Sequence, residues 1–214
     1  MTLKLYYTPG TCALASHITL IEAGAEYELH RISFKDEEQK KPEYLKINPK
    51  ARVPSLVTPE GVLTETPSLL VYIAQKFPAK NLALMSDPFA FAKVQEFNSF
   101  LCSTVHINHA HRMRGSRWVD ASDEHSIKAM QKKVPESVGG VFALIETHML
   151  KGPYVMGERF TVCDPYLFTL SQWLEGDGVD LTKLPRVADF RARMSERPSV
   201  KRALEEETKK SAAA

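Results

Sequence analysis

Along this chain the rhythm of apolar and polar positions changes several times, and each change marks an element. Residues 3–7 form a short apolar, β-rich run that Pro9 and Gly10 break. From Thr11 the spacing turns helical: Leu14, Ile18, Ile21 and Ala25 fall on one stripe, which predicts one buried face. Gly24 is placed to end that helix in the left-handed conformation that glycine reaches at little cost. Residues 27–34 alternate as a second strand, a charged stretch follows at 35–41, and a short helix is expected at 42–47. Two prolines in the seven residues 48–54 predict a loop. Residues 55–58 and 61–64 then read as a hairpin, and 66–77 as a helix with Leu69, Leu70, Ile73 and Phe77 inward and Pro67 at its first position. The predicted order is β-α-β, then α-β-β-α.

After residue 80 the strand rhythm disappears. Residues 89–114, 124–150, 162–174, 184–196 and 200–209 all carry helical periodicity. Mixed units followed by a run of helices predict two domains: 1–79, a linker at 80–88, and an all-helical domain at 89–214. Thr161 and Asp164 have the form of a capping box, in which Thr161 takes the Asp164 N–H and Asp164 reaches back to the Thr161 N–H, with Phe160 as a staple. Ser211 onward reads as a frayed tail.

Composition adds few constraints. The 214 residues are 43% hydrophobic and 25% charged, ordinary for a globular domain, with a net charge of +2. Without a basic run interleaved with aromatics, nucleic acid is not an expected partner. Pro9, Gly10, Ser16 and His17 interrupt the apolar N-terminus, which therefore reads as mature structure and not as a targeting segment. No run approaches ~18 uninterrupted apolar residues, so no membrane span is expected. Three widely spaced cysteines, Cys12, Cys102 and Cys163, fit a reducing cytoplasm better than a disulfide framework.

Cys12 carries the most chemical information. It stands where a strand turns into a helix, and a helix N-terminus favours thiolate over thiol, which predicts a lowered pKa. The plainer reading, a small buried apolar group, is the one expected for Cys102 and Cys163. Position fifteen is Ala15, so the two-cysteine exchange of a C-x-x-C motif is excluded and a second thiol has to come from a small molecule. Val53-Pro54 enters a strand from a loop. A cis bond there turns the Val53 backbone outward for an extended peptide to pair with, whereas a trans bond only starts the strand, and both remain open. Thr66 opens a helix and suits a carboxylate, Glu65 beside it suits an ammonium group, and Thr66 can also be a plain N-cap. A small peptide with a thiol and a free α-amino acid end matches all three features.

YYTPGTCALASHITLIEAG, NPKARVP, LTETPSLLVYIA, ERFTVCDPYLFTLSQW and ERPSV, in that order, resemble segments of the bacterial beta-class glutathione transferases. The resemblance implies a thioredoxin-like N-terminal domain followed by a helical bundle domain, and a homodimer with glutathione as co-substrate and no metal. It implies Cys12 beside the glutathione sulfur, Val53 and Pro54 along its cysteinyl backbone, Glu65 and Thr66 at its γ-glutamyl end, His106 near the peptide, and Lys35 at the glycine carboxylate. Ser99 and Ile107 depart from the Asn and Lys often found there, which weakens the polar side given by the second domain. Tyr6, Tyr7 and Thr11 are rival hydroxyl donors. His106 and His109 lie one helical turn apart, but no third ligand completes a metal set, and His109 and His111 read as a polar helix face. The implied reaction is conjugation of glutathione to a small hydrophobic electrophile, or thiol exchange through Cys12. The alternatives are a non-catalytic ligand-binding module of the same fold, or a glutathione-dependent dehalogenase or isomerase.

Overall fold

A computed structural model describes residues 2–209; the tail expected to fray lies outside them. Four strands, β1 (Leu3–Tyr7), β2 (Tyr27–Arg31), β3 (Ser55–Thr58) and β4 (Gly61–Thr64), form one sheet in the order β2-β1-β3-β4. β1 and β2 are parallel, and the other two pairings are antiparallel. The parallel crossover is helix α1 (Ala13–Ala23), and α2 (Pro42–Leu45) and α3 (Thr66–Lys76) complete a thioredoxin-like unit. The expected element order holds. The second strand ends three residues early, at Arg31, although the Ile32 N–H still reaches the Tyr7 carbonyl at 2.8 Å. Gly24, at φ +69°, ends α1 as expected.

The second unit is helical throughout: α4 (Pro88–Phe100), α5 (His106–Ala110), α6 (Glu124–Leu144), α7 (Cys163–Ser171), α8 (Pro185–Ser195) and α9 (Pro198–Thr208). Asp87 and Asp123 cap α4 and α6 by accepting first-turn N–H groups. Two π turns interrupt the expected continuity, Leu101–Val105 between α4 and α5 and Ile145–Met149 after α6. Such turns insert one residue into the helical repeat and gather at functional sites.

α1 corrects the single-stripe expectation. Ala13 to Leu20 are buried all round, Ser16, His17 and Thr19 included, while Ile21 is only half-buried. The cause is double coverage, with the sheet and α3 on one side and α7 and α9 on the other. His17 lies between Glu206 (2.9 Å) and Glu207 (3.3 Å) of α9, with the Tyr27 hydroxyl at 3.3 Å.

The capping box at α7 forms by half. The buried Asp164 carboxylate accepts the Thr161 N–H at 2.6 Å and the Val155 N–H at 2.8 Å. The Thr161 hydroxyl, however, takes the N–H of Cys163, not of Asp164. Pro165 sits in the first turn, where its missing N–H is no loss. Phe160 stacks under the Arg197 guanidinium, 4.0 Å from its ring centre, where a staple onto α7 was expected.

Candidate active site at the start of the first helix

Gly10 adopts φ +73° in the turn after β1 and so lets the chain reverse into α1. Cys12 caps that helix and is nearly buried, at 9% exposure. Its thiol reaches the Val53 carbonyl at 3.7 Å and also meets the Thr66 hydroxyl. Burial pushes the thiol up to about 11; the Thr66 hydrogen bond works against the rise, and the nearby Cys102 and Glu65 add to it. This reverses the lowered pKa expected from the sequence. A helix N-terminus is worth at most ~2 kcal/mol, whereas full burial of a charge can move a pKa by roughly 3–5 units, and here burial wins.

Val53-Pro54 is cis. The loop before it is held by the Tyr44 hydroxyl and the Asn48 amide, which both donate to the Arg52 carbonyl at 2.6 and 2.7 Å. Glu65, immediately before α3, has φ +72°, a conformation that costs a non-glycine residue about 1–3 kcal/mol and that gathers at functional sites. Its carboxylate pairs with Lys50, which also donates to the Thr64 hydroxyl at 2.6 Å. Thr66 is buried and is the first helical residue of α3, not its cap; Glu65 takes the cap position and Pro67 the second helical position. The structure therefore brings Cys12 against Val53, with Thr66 acting to lower its pKa and Glu65 next in the chain.

The rival donors sit against other groups. Tyr6 stacks on His30, Tyr7 is buried beside His17, and the Thr11 hydroxyl donates to the Thr8 carbonyl at 2.7 Å. The hydroxyl near the thiols belongs instead to Tyr166 of α7, a residue that the sequence offered only as part of a structural helix start. Tyr166 is 1% exposed, and its burial, with Cys12 and Cys102 adding to the effect, holds its hydroxyl well above the ordinary phenol range.

His106 opens α5, its ring 5.2 Å from that of Trp173. Burial, reinforced by His109, Arg117 and Arg52, pushes it down to about 4, so it is neutral at physiological pH. His109 is not a plain surface residue: it stacks on Trp173 at 4.2 Å and binds both oxygens of the buried Asp177 at 2.8 Å. The Trp173 indole N–H donates to the Gly10 carbonyl at 3.0 Å, tying the helical unit to the turn that carries Cys12. Lys35 stands exposed in the turn after β2. Arg117 and Arg52 both act against protonation of His106; Arg114 acts likewise on Arg117, and its guanidinium lies 6.0 Å from the Phe34 ring. None of these arginines was singled out in the sequence, because their convergence depends on two segments some sixty residues apart. Ser99 is exposed and Ile107 is 40% exposed. A cavity of about 490 Å³ between Leu150, Pro153, Pro185 and Arg193 lies apart from this cluster.

A thioredoxin-like sheet whose cysteine turn is bonded to an all-helical unit defines the class of thiol-handling, two-unit transferases. Comparison with known proteins narrows that class. Residues 1–75 match the profile "Glutathione S-transferase, N-terminal domain" and residues 111–207 match "Glutathione S-transferase, C-terminal domain". The chain is 32% identical over 209 residues to glutathione S-transferase GstA of Escherichia coli O157:H7, covering 96% of this chain and 98% of that one. A glutathione transferase homologue from Sulfitobacter, solved with bound glutathione, is 43% identical with a TM-score of 0.92, covering 96% and 98% of the two chains. The beta-class enzyme of Sphingomonas chungbukensis is 28% identical with a TM-score of 0.83 and the same coverage. The chain belongs to the glutathione S-transferase family, and it is an enzyme of that family.

Proposed function

We propose that this enzyme binds glutathione along Val53 and Pro54, with its sulfur at Cys12, and transfers that sulfur to small hydrophobic electrophiles. The observation that carries the reading is the Cys12 thiol resting on the Val53 carbonyl, one hydrogen bond from the segment to which an extended peptide would pair. Among the described residues no group accepts from the Val53 N–H. Glu65 and Thr66 hold the γ-glutamyl end, the carboxylate of Glu65 taking the ammonium group. Lys35, exposed in the turn after β2, takes the glycine carboxylate. Because Cys12 is a thiol at neutral pH, its S–H can turn from Val53 to the glutathione sulfur and stabilise the thiolate as a donor. Neutral His106 and Trp173 line the side from which the electrophile arrives.

The chain is organised as a glutathione-binding domain at 1–79, a linker at 80–88 and a helical domain at 89–214. It works as a homodimer through the groove between α3 and α4, where Leu63, Pro67, Val71 and Tyr72 surround about 320 Å³ beside the exposed Val62. Its compartment is the reducing cytoplasm, where three cysteines free of disulfides stay reduced; among the described residues no helix is long and apolar enough to cross a membrane.

The test is steady-state conjugation of glutathione to an activated haloarene by wild type, Cys12→Ala and Thr66→Val. A higher KM for glutathione in Thr66→Val and a lower kcat in Cys12→Ala are expected. Unchanged kinetics in both variants would remove the site from this cleft. Sedimentation velocity measures the dimer, and a monomer at micromolar concentration would refute it.

A further inference from the structure

α5 and the turn after α7 meet through a carboxylate–imidazole pair that the sulfur chemistry does not use. Asp177 is buried, and both its oxygens lie 2.8 Å from Nδ1 of His109. An ionised carboxylate only accepts, so the proton of this contact sits on the imidazole. Arg112 brings its Nε to 3.4 Å from the same carboxylate. Gly176 makes room for it, since a Cβ there would collide with the guanidinium. The Asp177 N–H donates to the Trp173 carbonyl at 2.9 Å, which fixes the carboxylate relative to the tryptophan. The imidazole held in this way stacks on the Trp173 indole, with 4.2 Å between ring centres and 26° between planes. The indole N–H in turn donates to the Gly10 carbonyl at 3.0 Å, in the turn that carries Cys12. Carboxylate, imidazole and indole thus run in unbroken contact from the helical unit to the cysteine turn.

We propose that Asp177 and His109 are positioning residues of the electrophile side: they hold the Trp173 indole as a fixed flat platform that selects aromatic electrophiles over alkyl ones. The inference rests on the electrophile side proposed above. Neither residue touches the reacting atoms, and both act through Trp173. The indole is only half-buried, and its other aromatic neighbour, His106, is tilted by 59° at 5.2 Å, so His109 is the ring that sets its plane. An aromatic substrate stacks best on a plane that is already ordered, because no freedom of the platform is lost on binding. An alkyl substrate has no ring to match that plane and gains little from it.

The experiment compares the full-length wild type with His109→Phe, which keeps a ring for the stack but loses the N–H to Asp177, and with Asp177→Asn, which removes the charge that holds the imidazole. Conjugation of glutathione is measured with an activated haloarene and with an alkyl iodide. In both variants kcat/KM for the haloarene is expected to fall about tenfold and that for the alkyl iodide less than about twofold, with the KM for glutathione unchanged. Hydrogen exchange of the Trp173 indole N–H, followed by NMR, is expected to speed up in both, while that of Trp118, the other tryptophan, stays constant. Equal losses for the two electrophiles, as a merely structural role would give, overturn the inference, and so does a Trp173 indole proton that exchanges at the wild-type rate. In these cases a wild type that binds glutathione in calorimetry leaves the proposed site standing; a wild type that does not bind it overturns the site and the inference together. The wild type also tests the pair alone, whatever the variants' folding: a slowly exchanging Nδ1 proton on His109 is expected, and its absence overturns the inference.

Discussion

Cys12 is predicted to be a sluggish nucleophile despite standing at a helix N-terminus. Burial raises it from 9.0 to about 11. At neutral pH that rise cuts the thiolate fraction about 100-fold relative to an unperturbed thiol, or about 3 kcal/mol at 1.36 kcal/mol per pH step. The assay is alkylation by iodoacetamide between pH 6 and 11, roughly the range over which free and buried thiols ionise, followed by peptide mass spectrometry that counts Cys12 separately from Cys102. The logarithm of the Cys12 rate is expected to climb tenfold per pH step without a plateau until about 11. The unfolded protein in denaturant supplies the reference and levels off near the ordinary thiol value. A native-state plateau at or below neutral pH would mean that the helix terminus and the Thr66 hydroxyl outweigh burial, and would refute the reasoning. The same rise makes a stability statement. The native thiol keeps its proton where the unfolded one has lost it, so this contribution is fully present below the unfolded pKa and is lost as pH rises towards about 11.

Three further outcomes follow from groups around the same cleft and its supports. Glu65→Gln removes a negative charge that raises Cys12, so Cys12 alkylation at neutral pH is expected to speed up while the KM for glutathione rises; slower alkylation would contradict this. His106, pushed down to about 4, binds its proton in the unfolded chain before the native one as pH falls. Stability is therefore expected to drop between about 6.5 and 4, less steeply in His106→Gln, and a ring resonance titrating near 6.5 in NMR would refute it. Asp164→Ala strands the buried N–H groups of Val155 and Thr161, at about 1–3 kcal/mol each, so denaturant melts should show a loss of about 2–6 kcal/mol; a loss under 1 kcal/mol would show that water takes over both bonds.

Much of the architecture was legible because local signals decided it. β1 and the 55–64 hairpin emerge with the predicted bounds, since prolines and glycines close short runs that have no other reading. The left-handed end of α1 follows from one glycine. What stayed hidden depends on more than one neighbour. A hydrophobic stripe reports one buried face, so α1, covered on both sides, looked amphipathic. A π turn adds a single residue to a 3.6-residue repeat and leaves no trace in the spacing. The sign of the Cys12 shift needed its burial against Val53, which is distant in sequence. Tyr166 and the three arginines escaped notice because each is unremarkable until the helical unit folds over the sheet.

The contact between His17 and α9 has a consequence for how the protein is made. α1 is the first helix and carries Cys12 at its start, yet the acidic partners of its buried midpoint lie 190 and 189 residues downstream, at Glu207 and Glu206. While the ribosome is still working, His17 has neither carboxylate, and a face of α1 that must end up dry stays wet. Only when the last turn of α9 clears the exit tunnel can the helix be sealed. The enzyme is in this sense kept from arming its sulfur chemistry until α9 has been made, and chains truncated before Glu206 should reach the cell's proteases as open, unclasped sheets.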